Sequence, residues 1–196
     1  LLETNEDAKL ISGGMTLLPT LKQRLAAPSD LIDLAKVPDI KGVCRDGDEL
    51  VIGAMTTHAD VHENALVRGL IPGLASLAGQ IGDPAVRHRG TIGGSCANAD
   101  PAADYPAGTV GHGATFITNK RKIAADDFFL GLFETALEPG EIIVGVRFPI
   151  PLWSHYQKLR HPASGYAVVG VLVAQTKADY RAHVVTVLAK RAVAAR

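Results

Sequence analysis

Two glycine-containing stretches decide how this sequence is interpreted: LISGGMTLLP at residues 10–19 and RGTIGGSCAN at residues 89–98. In each, an apolar residue comes shortly before a Gly-Gly pair, and a small or hydroxyl side chain follows soon after it. A glycine pair lets the backbone adopt positive φ and form a concave array of N–H donors that suits phosphate oxygens. One such loop could hold one phosphate, and two could clamp a pyrophosphate. Taken singly, a Gly-Gly turn is usually only a turn.

The residues around the first pair predict a strand over residues 8–12, a tight glycine turn and then a helix. Leu17, Leu18, Leu21 and Leu25 recur at helical spacing. Thr16 is a plausible helix cap, and a proline in the first turn costs the helix little. The chain has neither GxGxxG after a strand nor GxxxxGK[ST]. A doubly wound dinucleotide fold and a P-loop are therefore disfavoured.

Periodicity in the rest of the chain predicts two lobes of mixed helix and strand. A boundary is expected near Pro149, Pro151 and Trp153. Residues 83–108 lose periodicity, which favours a long ordered loop or a functional segment over a core element. Residues 126–137 are predicted to be partly helical, and residues 182–196 could be strand or helix. Further strands are predicted over residues 31–34, 50–52, 114–118, 141–148, 156–160 and 166–174, and helices over residues 57–64 and 74–81.

Composition limits the class of protein. With 196 residues and 47% hydrophobic content, the chain can bury a core in one or two compact lobes. Twenty basic residues balance twenty acidic ones, so nothing indicates a nucleic-acid partner. Two cysteines are too few for a disulfide framework and favour a reducing compartment, so we expect a cytoplasmic protein. No apolar run is long enough to span a membrane.

The two motifs also carry a family resemblance. SGGMTLLPTLKQRL closely resembles the AGGxSLxPxLKxRL stretch of the FAD-binding medium subunit of molybdenum hydroxylases, the xanthine dehydrogenase and carbon monoxide dehydrogenase type. RGTIGGSCANADPAADYPA resembles the family's second flavin motif, TIGGNxAxADPAADxPA. DPAVRHRGTIGG, FETALEPGEII and YQKLRHPASGYAVVGV match as well, so the resemblance runs from residue 8 to about residue 174. Ser12 stands where the family usually has Ala, and Met15 replaces a usual Gln or His.

The resemblance implies the positions that contact FAD. The pyrophosphate would lie between the two glycine segments, the first also flanked by apolar residues. Polar side chains would face the ribityl or ribose hydroxyls, apolar ones would line the pocket, and a lysine would lie near the flavin end. The implied residues are Leu10, Ile11, Ser12, Gly13, Gly14, Met15, Thr16 and Leu17, then Thr91, Gly93, Gly94 and Ser95, with Asn98 and Asp104 as the polar pair, Ile81 and Ile143 as apolar contacts, and Lys158 as the lysine.

The resemblance further implies an α+β fold of the vanillyl-alcohol oxidase and molybdopterin dehydrogenase type. Residues 1–150 would form the FAD-binding domain, with two α/β subdomains split near residue 50, and residues 151–196 part of a smaller C-terminal α/β domain. FAD would be held without a covalent bond. A molybdenum-binding large subunit and an iron–sulfur small subunit with two-iron two-sulfur clusters would be partners, in a dimer of heterotrimers. The chain is expected to be truncated at both ends, because it begins at Leu1 within an apparent helix and its last residues depart from the pattern.

Several individual residues have alternative interpretations. Asp104 could be a local cap within ADPAADYP, and a one-residue gap would replace Lys158 with Gln157. His58 and His62 have the i, i+4 spacing of a zinc site but lack a third ligand. The basic cluster at residues 87–89 is better explained as a solvated loop face. Neither Cys96 as a nucleophile nor His112 as a covalent flavin attachment has supporting residues nearby, and no acid–base catalyst is nominated.

The predicted function is electron transfer through bound FAD, from iron–sulfur clusters to an acceptor. Two alternatives stay open at this point. A stand-alone FAD-dependent oxidoreductase would turn over a substrate without partners, and a non-catalytic nucleotide-binding or assembly module would bind no redox-active flavin.

Overall fold

The computed structural model describes residue 5 and residues 7–177, 179–186 and 194–195. The fold is α+β, with several small sheets and short helices. Its N-terminal part is a parallel two-stranded sheet whose strands are joined through one helix, as the glycine-turn pattern predicts. These elements are β1 (Lys9–Ile11), α1 (Leu17–Lys22) and β2 (Leu31–Asp33), followed by a 3₁₀ turn at Leu34–Lys36.

A five-stranded antiparallel sheet forms the centre of the molecule, in the order β3-β4-β9-β5-β6. Its strands alternate buried and partly exposed residues, so that one face packs on the core. Phe116 on this sheet stacks on Phe128 with ring centroids 3.8 Å apart. The strands are β3 (Val43–Asp46), β4 (Glu49–Gly53), β5 (Thr115–Thr118), β6 (Lys122–Ala124) and β9 (Ile143–Pro149).

Short helices between β4 and β5 surround this core, and side chains cap the first turns of several of them. The Thr57 side chain accepts a hydrogen bond from Asp60 N, the Asn64 side chain from Leu66 N, and the Asp83 side chain from Val86 N. These helices are α2 (His58–Glu63), α3 (Ala65–Leu70), α4 (Pro72–Gly79), α5 (Pro84–Arg89), α6 (Ile92–Asn98) and α7 (Tyr105–Gly111). α4 begins at Pro72, two residues before the predicted start, because a proline costs nothing at that position.

An antiparallel sheet in the order β10-β11-β12-β13 follows. α4 packs against β10 and β11, and α7 against β11 and β12. β10 alternates exposed and buried residues, and Ser154, Tyr156 and Lys158 lie on the buried face. The strands are β10 (Trp153–Arg160), β11 (Ala167–Gln175), β12 (Tyr180–Thr186) and β13 (Ala194–Ala195). Both strands predicted for this region are confirmed, while residues 187–193 of the ambiguous tail lie outside the described residues.

One regional prediction is wrong, and another is confirmed. Residues 83–108 are not a long loop, since α5, α6 and the start of α7 lie within them. These helices are only six or seven residues long and rich in small side chains, so periodicity could not reveal them. Residues 126–137 are partly helical, as predicted: α8 (Ala125–Phe128) covers their start, and the chain continues as a hairpin of β7 (Phe129–Gly131) and β8 (Glu134–Thr135). The domain boundaries near residues 50 and 150 stay predictions, and the helix expected at residue 1 lies outside the described residues.

None of the helices that the structure describes is both long enough and apolar enough to cross a bilayer.

Candidate functional site

A cleft of about 880 Å³ lies between the N-terminal β1–α1–β2 unit and the rest of the molecule. This volume is in the range of small-molecule and cofactor sites. All the residues that the sequence assigned to the cofactor line its wall, although they come from six separate regions of the chain. They are Leu10, Ile11, Ser12, Gly13, Gly14, Met15, Thr16, Leu17, Ile81, Thr91, Gly93, Gly94, Ser95, Asn98, Asp104, Ile143 and Lys158.

The first glycine segment presents unused backbone donors. Gly14 has φ 74°, the positive value predicted for this turn. Within the described part of the chain, the N–H groups of residues 14–17 have no hydrogen-bond acceptor. Thr16 precedes α1 but makes no side-chain capping bond, which leaves the first turn of that helix open. Such N–H groups at a helix start are suited to an anion.

Gly13 serves a different purpose from Gly14. A Cβ at Gly13 would lie 2.1 Å from the carbonyl oxygen of Arg89. Only glycine therefore lets the first segment pack directly against the backbone that leads into the second.

The second glycine segment differs from the loop that was predicted. Gly93 and Gly94 lie inside α6 and do not have positive φ. The donors of this segment are also engaged: Ile92 N donates to Thr56 O at 3.1 Å and Gly93 N to Ala54 O at 2.9 Å. The Thr91 side chain accepts from Gly94 N at 3.1 Å as the cap of α6. The prediction of two matching donor arrays is thus wrong, because the N–H groups of the second segment already donate to the residues after β4 and to the Thr91 cap.

The second segment instead leaves room for a ligand, because Gly94 has no side chain. A Cβ at Gly94 would lie 3.0 Å from both Ser12 Oγ and Thr91 Oγ1. The missing side chain keeps the cleft open where the two segments meet, next to the N-terminus of α6. A Cβ at Gly93 would lie 2.6 Å from Ala54 Cβ, so that glycine is required by packing against the end of β4.

Asp104 and Lys158 form a buried ion pair in the cleft wall. Lys158 Nζ donates to Asp104 Oδ2 at 2.9 Å and to the Gln80 carbonyl at 3.2 Å, and Tyr156 Oη donates to Asp104 Oδ1 at 2.5 Å. The two charged side chains are only 4% and 1% exposed. Burial raises the pKa of Asp104, while Lys158 and Tyr156 oppose that rise.

The interpretation of Asp104 as a local cap is wrong, since it makes no capping bond to α7. Its two oxygens already accept from Tyr156 and Lys158, although each retains a lone pair.

Glu141 holds another part of the wall in place. Its carboxylate accepts from Thr118 Oγ1 at 2.7 Å, from Arg121 Nε at 3.0 Å and from Glu138 N at 2.9 Å. These bonds lower the pKa of Glu141 to about 2, with the Arg121 hydrogen bond as the main cause. Glu141 thereby fixes the loop before Ile143, which is 5% exposed and supplies apolar wall surface.

The sequence analysis missed several wall residues. Residues 163–166, between β10 and β11, line the cleft, and so does Asp100. Proximity to Asp100 and Asp104 adds to the effect of burial in raising the pKa of Tyr166. The HPASGYA segment lies within a stretch that resembles the family, so this resemblance could have drawn attention to it.

His58 also lines the cleft, although its spacing with His62 suggested zinc. It is 4% exposed, its ring lies 5.3 Å from that of Tyr105, and burial lowers its pKa to about 4. His62 Nδ1 lies 2.8 Å from the Ala75 carbonyl oxygen. No group of three or more His, Cys, Asp or Glu among the described residues could hold a metal ion.

Cys96 and His112 are both core residues. Cys96 is fully buried, and burial raises the pKa of its thiol, which disfavours the thiolate. His112 is 1% exposed, its Nδ1 lies 2.6 Å from the Gly108 carbonyl oxygen, and burial lowers its pKa to about 4.

Comparison with known proteins gives a consistent result. Residues 1–151 match the family model described as the FAD binding domain in molybdopterin dehydrogenase. The sequence is 39% identical over 183 residues to the carbon monoxide dehydrogenase medium chain of Hydrogenophaga pseudoflava, covering 89% of this chain and 63% of the relative. It is 28% identical over 155 residues to the xanthine dehydrogenase FAD-binding subunit of Escherichia coli O157:H7, covering 76% of this chain and 53% of that subunit.

Solved structures agree with this similarity. A carbon monoxide dehydrogenase from Hydrogenophaga pseudoflava, which lacks the Mo-pyranopterin moiety of the molybdenum cofactor, superposes with a TM-score of 0.91 at 37% identity. Quinoline 2-oxidoreductase from Pseudomonas putida 86 also gives 0.91, at 32% identity. Each match covers 98% of this chain and 71% of the other chain. In the sequence comparison, the chain spans 63% of the carbon monoxide dehydrogenase medium chain, which is less than two thirds of that relative's length.

Proposed function

The chain belongs to the family of FAD binding domains in molybdopterin dehydrogenases, and from this premise we propose that it binds FAD in the cleft and passes electrons from iron–sulfur clusters to an acceptor. The observation that carries the proposal is the position of the open N–H groups of residues 14–17. They line the same cleft as Gly94, whose missing side chain leaves room for a pyrophosphate where the two segments meet.

The residues present fit the cofactor. The cleft is large enough for a dinucleotide-sized ligand, and glycines remove side chains at the point where the phosphates would lie. Ile81 and Ile143 supply apolar wall, and Asn98 supplies a side-chain amide for hydroxyl groups. The Asp104–Lys158 pair gives the wall a fixed arrangement of charge.

Bound FAD would supply the redox chemistry, since a flavin accepts electrons singly and releases them in pairs. The side chains of this chain would bind and orient it and exclude water. The buried His58 stays neutral near pH 7, because its pKa is about 4. The side chains described here therefore act by positioning, and we assign no acid or base to them.

The partners belong to the same proposal. Relatives are named as medium chains or as subunits of complexes, which supports assembly with further subunits. We propose that these are a molybdenum-binding large subunit and an iron–sulfur small subunit, in a dimer of heterotrimers. The molybdenum cofactor and the two-iron two-sulfur clusters would reside in those partners. A cytoplasmic location is supported by Cys44 and Cys96, which are both free.

The first experiment measures FAD retention by visible absorption after incubation with FAD and desalting. Wild type is expected to keep a resolved flavin band, and Gly14→Val and Gly94→Val are expected to lose it. Gly14 has positive φ, and a side chain at Gly94 would fill the space beside Ser12 and Thr91. Gly69→Ala is the control, because a Cβ there meets nothing within 4 Å.

Equal flavin retention in all variants would contradict the proposed position of the pyrophosphate. A wild-type chain without flavin would favour the non-catalytic module. Electron transfer is tested by mixing the flavin-loaded chain with the candidate large and small subunits, where substrate should bleach the flavin band only in the full mixture. Bleaching by substrate with this chain alone would favour a stand-alone oxidoreductase.

A further inference from the structure

The N-terminal unit, residues 7–37, is joined to the rest of the molecule by very few polar contacts. Within the part of the chain that the structure describes, the only hydrogen bond between this unit and the residues after it links Ser12 Oγ and Thr91 Oγ1, at 2.5 Å. The two residues are 79 positions apart in the sequence. No salt bridge among the described residues adds to this link.

The link lies at the junction of the two walls of the cleft. Ser12 and Gly13 belong to the wall formed by the N-terminal unit, and Thr91 and Gly94 to the opposite wall. Beside the hydroxyl pair, Gly13 packs so closely that its Cβ would lie 2.1 Å from Arg89 O. Among the described residues, this hydroxyl pair is therefore the polar link that joins the two walls.

A count of hydrogens shows what the pair offers to a ligand. Ser12 Oγ accepts from Gly13 N at 2.7 Å, and Thr91 Oγ1 accepts from Gly94 N at 3.1 Å. Two hydroxyl groups carry two hydrogens, and one of them makes the bond between the oxygens. The second hydrogen has no acceptor among the described residues. It lies where a cleft-bound anion would accept it.

We propose that the Ser12–Thr91 hydroxyl pair holds the N-terminal unit closed over the cleft and donates its remaining hydrogen to a phosphate oxygen of the bound dinucleotide. Ser12 is thus a positioning residue for the walls as well as a ligand contact. The second half of the proposal rests on FAD binding in this cleft, whereas the first half concerns the chain without any ligand.

The test uses Ser12→Ala in the full chain. The motif that this segment resembles has Ala at this position, so the turn should tolerate it. Ser29→Ala is the matched control, because Ser29 lies in the same unit and its hydroxyl donates only to Asn5 Oδ1, at 3.0 Å. Hydrogen exchange of β1, residues 9–11, which pairs with β2, reports closure when it is measured without FAD. Fluorescence titration with FAD and with riboflavin, which lacks phosphate, reports the ligand contact.

Ser12→Ala is expected to speed exchange across residues 9–11 and to raise the Kd for FAD about tenfold, as expected for one hydrogen bond to a charged group. Binding of riboflavin should change less than twofold, and Ser29→Ala should resemble wild type in every measurement. Unchanged exchange would overturn the closing role. A Kd for FAD within twofold of wild type, or a tighter one, would overturn the phosphate contact. If wild type binds no FAD, the proposed function fails, while the exchange data still decide the closing role.

Thr91→Ser provides a second variant that keeps the hydroxyl and the cap of α6. It is expected to match wild type in exchange and in FAD affinity, because the hydroxyl is the group that acts. A loss in Thr91→Ser as large as in Ser12→Ala would mean that packing, not the hydroxyl pair, joins the walls, and would overturn the proposal.

Discussion

Replacing Lys158 with Met should destabilise the protein strongly, because it leaves a carboxylate buried without its cation. Lys158 Nζ lies 2.9 Å from Asp104 Oδ2, and the two side chains are 1% and 4% exposed. Met keeps most of the volume of the lysine stem but supplies no charge. Breaking a buried pair by removing one partner costs about 3–5 kcal/mol. For a chain of this size, that loss lowers Tm by about 2–4 °C per kcal/mol, so by roughly 6–20 °C.

The loss of stability in Lys158→Met should depend on pH, and it should be smaller in acid. Burial raises the pKa of Asp104 even with Lys158 present, and removing the ammonium removes an interaction that opposes the rise. A carboxyl whose pKa is higher in the folded state than in the unfolded state destabilises the fold at pH values above the folded pKa. The penalty in Lys158→Met should be full at pH values above the folded pKa and become smaller as the pH falls below it toward the unfolded pKa. Urea unfolding at pH 7 and pH 5 measures both the size and the sign.

Lys177→Met is the matched control. Lys177 Nζ also lies 2.9 Å from a carboxylate, Asp48, but these side chains are 74% and 79% exposed. Its removal should change the urea midpoint little, because solvent screens the pair. The double variant Asp104→Asn/Lys158→Met should recover part of the lost stability. A Lys158→Met protein as stable as Lys177→Met at pH 7 would refute the reasoning that burial makes this pair necessary.

Three further outcomes are expected. Glu141→Gln should make the stability less dependent on pH in acid. The pKa of Glu141 is about 2 in the fold, so the stability that its carboxylate contributes is present above the unfolded pKa of about 4.3 and is lost as the pH falls toward 2. Urea midpoints between pH 2 and 6 that overlay those of wild type would contradict this. Phe128→Ala should lower the free energy of unfolding by about 3–5 kcal/mol, because it removes a fully buried ring stacked on Phe116. A urea-unfolding loss under about 1 kcal/mol would show that this part of the core is not closely packed. Gly69→Ala, on α3, should raise stability by up to about 1 kcal/mol, since the Cβ meets nothing and alanine favours helix; a lower Tm would argue against the helix there.

Much of the cleft could be predicted from the sequence because glycine pairs and capping residues act over a few positions. The turn at Gly14 has the predicted positive φ, and the predicted strand–turn–helix follows it. The resemblance then named residues from distant segments that the structure places around one cleft. Periodicity failed between residues 83 and 108, because helices of six or seven residues carry too few apolar side chains to show a repeat.

The sequence by itself determined where glycine is needed and which residue types surround the cleft. Only the tertiary structure decided which of their polar groups remain available. The N–H groups of residues 92 and 93 donate to carbonyl oxygens just after β4. Lys158 donates to Asp104, 54 positions away in the sequence, and Ser12 forms a hydrogen bond with Thr91, 79 positions away. The physical reason is that backbone conformation depends on neighbouring residues, whereas a hydrogen-bond partner depends on which distant segments pack together.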